Sequence, residues 1–290
     1  MKNQDSIQFG VFPKMLIAML LMAVIPLGTT WLVNYQATTA RISEHVDQQL
    51  DRIAEGLQGF VDTWVDMNLR MLHQNAELPG MQSMEASRQN PLLRLVTEEY
   101  DWNYLAFTVA PNGQNVGRSD GKKTKFYGDR GYVQQVLSGG VRGQQVLIGK
   151  TSGKPAFVLS VPIRRETQTI KGLWAIAMTI ADISDRITNA RLGETGRAFL
   201  VDEAGKVIAH QNQAFTLERK DLSGHPAVIA ATTETAGTLN FVDEDGKRRV
   251  AAYRKTRHGW TLVAEQDHRE AFGAIVEANR NAWRVSRIPI

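Results

Sequence analysis

One stretch of this chain occurs twice. Ala106-Phe107-Thr108-Val109-Ala110-Pro111-Asn112-Gly113 matches Ala198-Phe199-Leu200-Val201-Asp202-Glu203-Ala204-Gly205, an A-F-x-V-x-x-x-G unit that returns 92 residues later. In each copy an apolar strand pattern runs into a glycine turn and a second strand, Gln114 to Arg118 or Lys206 to His210, the signal of a β-hairpin. Downstream parts recur as well. Gly153-Lys154 opens a strand from Pro155 to Ile163, and Gly246-Lys247 opens one from Arg248 to Thr256, an offset of 93. Gly172-Leu173-Trp174 opens Trp174 to Ile180, and Gly259-Trp260 opens Trp260 to Glu265, an offset of 87. Such a chain builds one antiparallel-sheet module two times over. With a helix on each sheet, the fold class is α+β.

Ahead of the repeat lies Met15 to Val33, 19 residues without a charge. At 1.5 Å per residue that length crosses the ~30 Å hydrocarbon core of a bilayer. A cleaved signal peptide is the competing reading, since Lys2 and Lys14 precede the run; the run exceeds a usual signal core and no A-x-A site follows it. Pro26 inside it is better tolerated in a membrane helix than in a soluble one. Lys2 and Lys14 before the span place the N-terminus in the cytoplasm and the bulk of the chain outside.

A long helix should follow. Ile42, Val46, Leu50, Ile53, Leu57, Phe60, Trp64, Met67 and Met71 are spaced by 3 or 4, with Asp47, Asp51, Arg52, Glu55 and Asp62 on the other face. No proline interrupts it before Pro79. One stripe of this kind packs a helix along its own domain, pairs it with a second copy, or does both.

The chain has 290 residues and no cysteine, so disulfides, thiolate metal sites and a catalytic cysteine are excluded. A net charge of +4 with no dense Lys/Arg block gives no reason to expect nucleic acid as a partner. GxSxG, HExxH and the G-x-x-x-x-G-K-[ST] phosphate loop are missing, and His45, His73, His210, His225, His258 and His268 lack metal-ligand spacing. No catalytic residue, metal or cofactor is expected. Glu98-Glu99-Tyr100-Asp101 reads as a solvated helix end, and His210-Gln211-Asn212 as a strand end.

From Asn34 to Ala274 the chain resembles the double Cache sensor domains of bacterial chemoreceptors, sensor kinases and cyclic-di-GMP enzymes. Gly128-Asp129-Arg130-Gly131-Tyr132-Val133-Gln134-Gln135-Val136-Leu137 looks like the family's D-R-x-Y-F-x-x-A-L segment. Ile148-Gly149-Lys150-Thr151-Ser152-Gly153-Lys154-Pro155 looks like the G-x-T-S-G segment of C4-dicarboxylate sensor kinases. Leu192-Gly193-Glu194-Thr195-Gly196-Arg197-Ala198-Phe199 is similar to the start of the membrane-proximal module. The resemblance implies two stacked, PAS-like Cache modules behind a transmembrane helix and a stalk. The boundaries expected are a cytoplasmic N-terminus over 1–14, the span over 15–33, a stalk and dimerisation helix over 34–78, a membrane-distal ligand-binding module over 79–186, a membrane-proximal module over 187–270, and a C-terminal helix over 271–290.

The ligand of such proteins sits in the distal module. Arg130 is the leading candidate there, because a guanidinium forks onto a carboxylate; its alternative is to anchor its own loop through the neighbouring Asp129. Tyr127, Tyr132 and Trp102 would supply aromatic walls, or ordinary core, and Thr151 and Ser152 hydroxyls and N–H groups, or a plain loop. Lys150 is expected to be solvated. Amino-acid-binding members carry R-P-W-Y where this chain reads Arg130-Gly131-Tyr132-Val133, and an amine-binding Asp in the strand where Ala175, Ile176, Ala177 and Met178 stand. Without that carboxylate a buried ammonium is uncompensated, so a small organic acid is expected over an amino acid.

The resemblance further implies an inner-membrane protein with its bulk periplasmic, a homodimer through the stalk, and an output domain beyond a second span. After Ala271 to Ala282 the sequence reads Trp283-Arg284-Val285-Ser286-Arg287-Ile288-Pro289-Ile290 with no further apolar run, so a truncated or frame-shifted receptor is expected. The alternatives are the sensor region of a histidine kinase or diguanylate cyclase, and a freestanding anchored module.

Overall fold

The computed structural model describes residues 11–150, 152–164 and 169–273. They divide into two units, Gln49–Ala271 and the segments flanking it.

In the flanking unit, the stretch Lys14–Ala37 is helical over 24 residues with mean hydropathy 2.2, and none of its most apolar window is buried. A helix so apolar and uncovered is long enough to cross a membrane. The Thr29 hydroxyl donates to the Pro26 carbonyl, 2.9 Å away, beside the proline. This stretch belongs to α1 (Val11–Ala76).

Within Gln49–Ala271, the expected stripe of α1 splits into two rows. Leu50, Leu57, Trp64 and Met71 are buried, joined by Ala54, Val61, Val65 and Leu72. Ile53 and Phe60 are half-buried, Phe60 with Arg186 over its ring at 5.8 Å, and Met67 is exposed, so the row spaced by seven is covered only in part. The helix therefore packs one row fully against its own domain and the other only in part.

Two short helices follow, α2 (Pro79–Gln82) and α3 (Ala86–Glu99). The first sheet comprises β1 (Asn103–Val109), β2 (Asn115–Arg118), β3 (Gly143–Ile148), β4 (Pro155–Arg164) and β5 (Ile170–Met178), with α4 (Gly131–Leu137) between β2 and β3. After α5 (Ala181–Thr188) come β6 (Arg197–Val201), β7 (Val207–Ala209), α6 (Gln213–Glu218), α7 (Pro226–Ala230), β8 (Ala236–Val242), β9 (Arg248–Lys255), β10 (Thr261–Asp267) and α8 (His268–Ala271). The sheets are ordered β2-β1-β5-β4-β3 and β7-β6-β10-β9-β8, the same antiparallel topology twice. The repeated turn glycines sit at φ +84° (Gly113) and +76° (Gly205), where a Cβ would be strained, which is why the hairpin signal was readable. The C-terminal helix expected beyond Gly273 lies outside the described residues.

Both sheets meet α1. The Phe157 ring packs 6.2 Å from Trp64 and 4.7 Å from Trp260, joining β4, α1 and the start of β10. Arg254 forks onto Asp51 at 2.9 and 2.7 Å, and Arg257 reaches Asp66 at 2.8 Å. The modules also touch through β3. Arg142 lies 2.8 Å from His258 Nδ1, Gln144 donates to the His258 carbonyl at 2.6 Å, and Arg219 donates both to the Val146 carbonyl and to Asp202. Burial, followed by the charge of Arg142, keeps the His258 pKa low.

Candidate functional site

A narrow cleft, about 300 Å³ with its open mouth included but with only about 20 Å³ of room inside for a water-sized sphere, opens on the first sheet, between its strands and α4. Leu105 and Phe107 of β1, Leu147 of β3, Val158 of β4 and Ala177 of β5 form its floor. Tyr127, Arg130 and Tyr132 close the other side, with Tyr104, Gly149 and Lys150 completing the lining.

The wall is held from β3 and β4. Ser160 Oγ donates to the Tyr132 carbonyl at 2.9 Å, Gly131 N–H to Gln145 Oε1 at 3.0 Å, and Gln144 N–H to Gln135 Oε1 at 2.8 Å. A Cβ on Gly143 would lie 2.0 Å from the Tyr132 carbonyl oxygen, so only glycine lets the strand pass so near α4. Tyr132 is buried, with its ring edge-on to Phe107 at 6.2 Å, and burial pushes its phenol pKa far up, so the hydroxyl stays protonated.

Tyr127 is placed by a residue that sequence reasoning passed over. Arg118, buried at the end of β2, donates from Nε and NH2 to the two oxygens of Asp120, each at 2.8 Å, and from NH1 to the Tyr127 hydroxyl at 2.9 Å. Those bonds hold the Asp120 carboxyl below its ordinary range. Arg118-Ser119-Asp120, opposite charges straddling a strand end, was the available signal.

Of the residues expected at the site, Arg130, Tyr127 and Tyr132 come together around the cavity. Arg130 is the N-cap residue of α4, and among the described residues no hydrogen bond or ion pair engages its guanidinium. Lys150, expected to be solvated, lines the cavity and bonds both oxygens of Asp129 at 2.8 and 2.9 Å and the Phe126 carbonyl at 3.1 Å. Asp129 is thus turned to Lys150 and is not in the lining; that bond lowers its pKa.

Trp102 and Ser152 are not among the residues of this lining. The Trp102 indole N–H donates to Asn68 Oδ1 on α1 at 3.0 Å, and the side chain is no part of the cavity. Ser152 stays outside as well, its Oγ accepting from Lys154 N–H at 3.2 Å in a tight turn. Thr151 lies outside the described residues. Tyr104 was not anticipated as a lining residue, since it reads as an ordinary strand position, whereas Ala177 stands on the strand expected to carry the amine-binding Asp of amino-acid-binding members.

Chemically the cavity is one-sided. Its lining holds two cations, Arg130 and Lys150, three phenols and no carboxylate. Where a carboxylate could have projected from β5, Ala177 stands.

The Cache domain model dCache_1 matches residues 34–275. This chain belongs to the Cache domain family. Of the relatives of this Cache protein, the methyl-accepting chemotaxis protein PscA of Pseudomonas syringae pv. tomato is 20% identical over 283 residues, 94% of this chain and 44% of PscA. The Cache chain thus spans less than half the length of that curated relative. The ligand-binding domain of the Campylobacter jejuni chemoreceptor Tlp3, solved in complex with L-valine, superposes with a TM-score of 0.62 at 15% identity, covering 81% of this chain and 97% of that domain. The extracellular domain of the putative histidine kinase rpHK1S-Z16 gives 0.67 at 15% identity, covering 76% and 94%. The two-sheet fold of this Cache protein is therefore that of chemoreceptor and histidine kinase sensor domains.

Proposed function

We propose that this Cache chain is the extracytoplasmic sensing part of a membrane-anchored, chemoreceptor-type signal transducer, and that its first module binds a small organic acid. One observation carries the ligand class: Arg130 and Lys150 face the cavity with no carboxylate among its lining. A carboxylate is matched by the free guanidinium fork of Arg130. Tlp3 takes L-valine. An α-ammonium in the present cavity would meet two cations and no counter-charge, a costly placement.

The rest of the reading draws on α1. Its apolar stretch Lys14–Ala37 is the membrane anchor in the proposal, and its continuation carries both sheets through Trp64, Asp51 and Asp66. Ligand-driven closure of the first module is relayed along this helix, with a coupling of ~1–3 kcal/mol set by the difference in affinity between two states. Ile53, Phe60 and Met67, at seven-residue spacing and only partly covered, support pairing with a second copy. The kinase likeness keeps a sensor kinase as the second reading of the output.

The test is calorimetry on the full chain in lipid nanodiscs, titrated with short mono- and dicarboxylic acids and with L-amino acids. Carboxylic acids are expected to bind, and Arg130→Ala to weaken them tenfold or more, as befits a charged hydrogen-bonded pair. Binding of amino acids alone would overturn the ligand class.

A further inference from the structure

Because the sheets share one topology, each position of the first cavity has a counterpart in the second. Leu105 pairs with Ala177 across β1 and β5; the matching rung of β6 and β10 is Arg197 with Glu265. Arg130 is the N-cap of α4, and His225 is the N-cap of α7. The carboxylate absent from the first module is thus present in the second. Glu265 is wholly buried, 2.5 Å from Arg197 Nε and 3.1 Å from His225 Nε2, so its charge is already met inside the protein.

In front of this pair opens a basin of about 1260 Å³, its mouth included. Phe199, Phe215 and Phe241 give it aromatic walls, with His225 edge-on to Phe199 at 5.1 Å and to Phe241 at 5.0 Å. Asp221, Glu244 and Asp245 bring three carboxylates to its lining, with a fourth, Asp243, already paired with Arg249 at 2.7 Å, against two cations, Arg197 and Lys220. His210 adds no positive charge at neutral pH, because burial and then the charge of Arg197 hold its pKa down to about 4. Arg197 is committed to Glu265. The remaining cation is informative: Lys220 Nζ stands 3.9 Å from the centroid of the Phe215 ring. An aromatic face in an acidic surround, with an ammonium already on it, is a cation-binding arrangement.

We propose that this basin is a second ligand site, taking a small organic amine as its ammonium ion, which replaces the Lys220 ammonium over Phe215. A carboxylate would be repelled by Asp221, Glu244 and Asp245, so the two modules differ in the sign of charge they accept. Lys220 is a tethered competitor. It sets a threshold that free amine must exceed.

Calorimetry with isopropylamine and 1,4-diaminobutane on the full chain in nanodiscs tests this, with isobutyrate as the anionic control and thermal unfolding as the check on folding. Lys220→Met removes the resident ammonium and is expected to tighten amine binding about tenfold. Adding Phe215→Leu, which keeps apolar volume but no π face, should abolish that gain. Amine binding should persist in Arg130→Ala, which separates this site from the first cavity. No amine binding by either the parent chain or Lys220→Met at millimolar concentration would overturn the proposal, as would unchanged affinity in Lys220→Met or equal binding of isobutyrate.

Discussion

Lys150 Nζ stands 2.8 and 2.9 Å from the two oxygens of Asp129, so one of the two cations of the first cavity is shared with an acid outside its lining. Both side chains are partly exposed, and a pair of that kind contributes at most ~1 kcal/mol to stability. Its effect should appear in binding. Asp129→Asn is expected to release Lys150 and strengthen carboxylate binding severalfold, while Lys150→Ala weakens it roughly three- to tenfold. Titration calorimetry on both variants decides the matter, and equal affinities would remove Lys150 from the site.

Gly143 is where β3 passes α4 most closely. In Gly143→Ala the new Cβ would press on the Tyr132 carbonyl and the Ser160 hydroxyl, neither of which can withdraw without breaking their mutual bond. Overpacking of this kind costs ~1–3 kcal/mol. A fall of several degrees in the unfolding midpoint, together with weakened ligand binding, is the expected outcome.

Much of the architecture was readable because it rests on local chemistry. The positive-φ glycines Gly113 and Gly205 and the paired apolar strands specified β1, β2, β6 and β7 almost to the residue. β3 and β8 escaped notice, since outer strands such as Gly143–Ile148 mix polar side chains with only short apolar stretches. Of the residues lining the cavity, Tyr127, Arg130 and Tyr132 were singled out because they fall in or beside the Asp129-Arg130-Gly131-Tyr132 segment that carries the resemblance. Leu147, Val158 and Ala177 look like any core strand, and the pairing of Lys150 with Asp129 spans 21 residues. On α1 the 3–4 spacing gave one stripe, but only packing decides that Trp64 turns inward and Met67 does not.

Phe157, between Trp64 and Trp260, is the aromatic joint of helix and sheets. Trp64 is 7% exposed, so Trp64→Ala should cost ~3–5 kcal/mol. A drop of about 10 °C in the midpoint is expected, with the lining of the cavity intact. Differential scanning calorimetry measures it; a shift under ~2 °C would mean the joint is not a packing centre.

Acid should weaken this protein before its carboxylates begin to protonate. His210 keeps a pKa of about 4 in the fold, whereas an unfolded chain takes up that proton near ~6.5. Its stabilising effect is whole above the unfolded value and is lost as pH falls from ~6.5 toward 4, since the unfolded state then binds more protons. His258 is shifted in the same direction. The unfolding midpoint should decline between pH 7.5 and 5, and His210→Asn, which retains an acceptor for the Asn212 N–H, should flatten that decline. Parallel pH profiles for parent and variant would contradict it.

β3 is the outer strand of its sheet, pairing only with β4, and the second module covers it: Arg219 takes the Val146 carbonyl, and Gln144 and Arg142 are engaged by His258. A bare outer strand is a template on which another extended chain can add itself. The second module is therefore a guard against self-association as well as a neighbour. Separated from it, the first sheet would expose the backbone groups that seed aggregates.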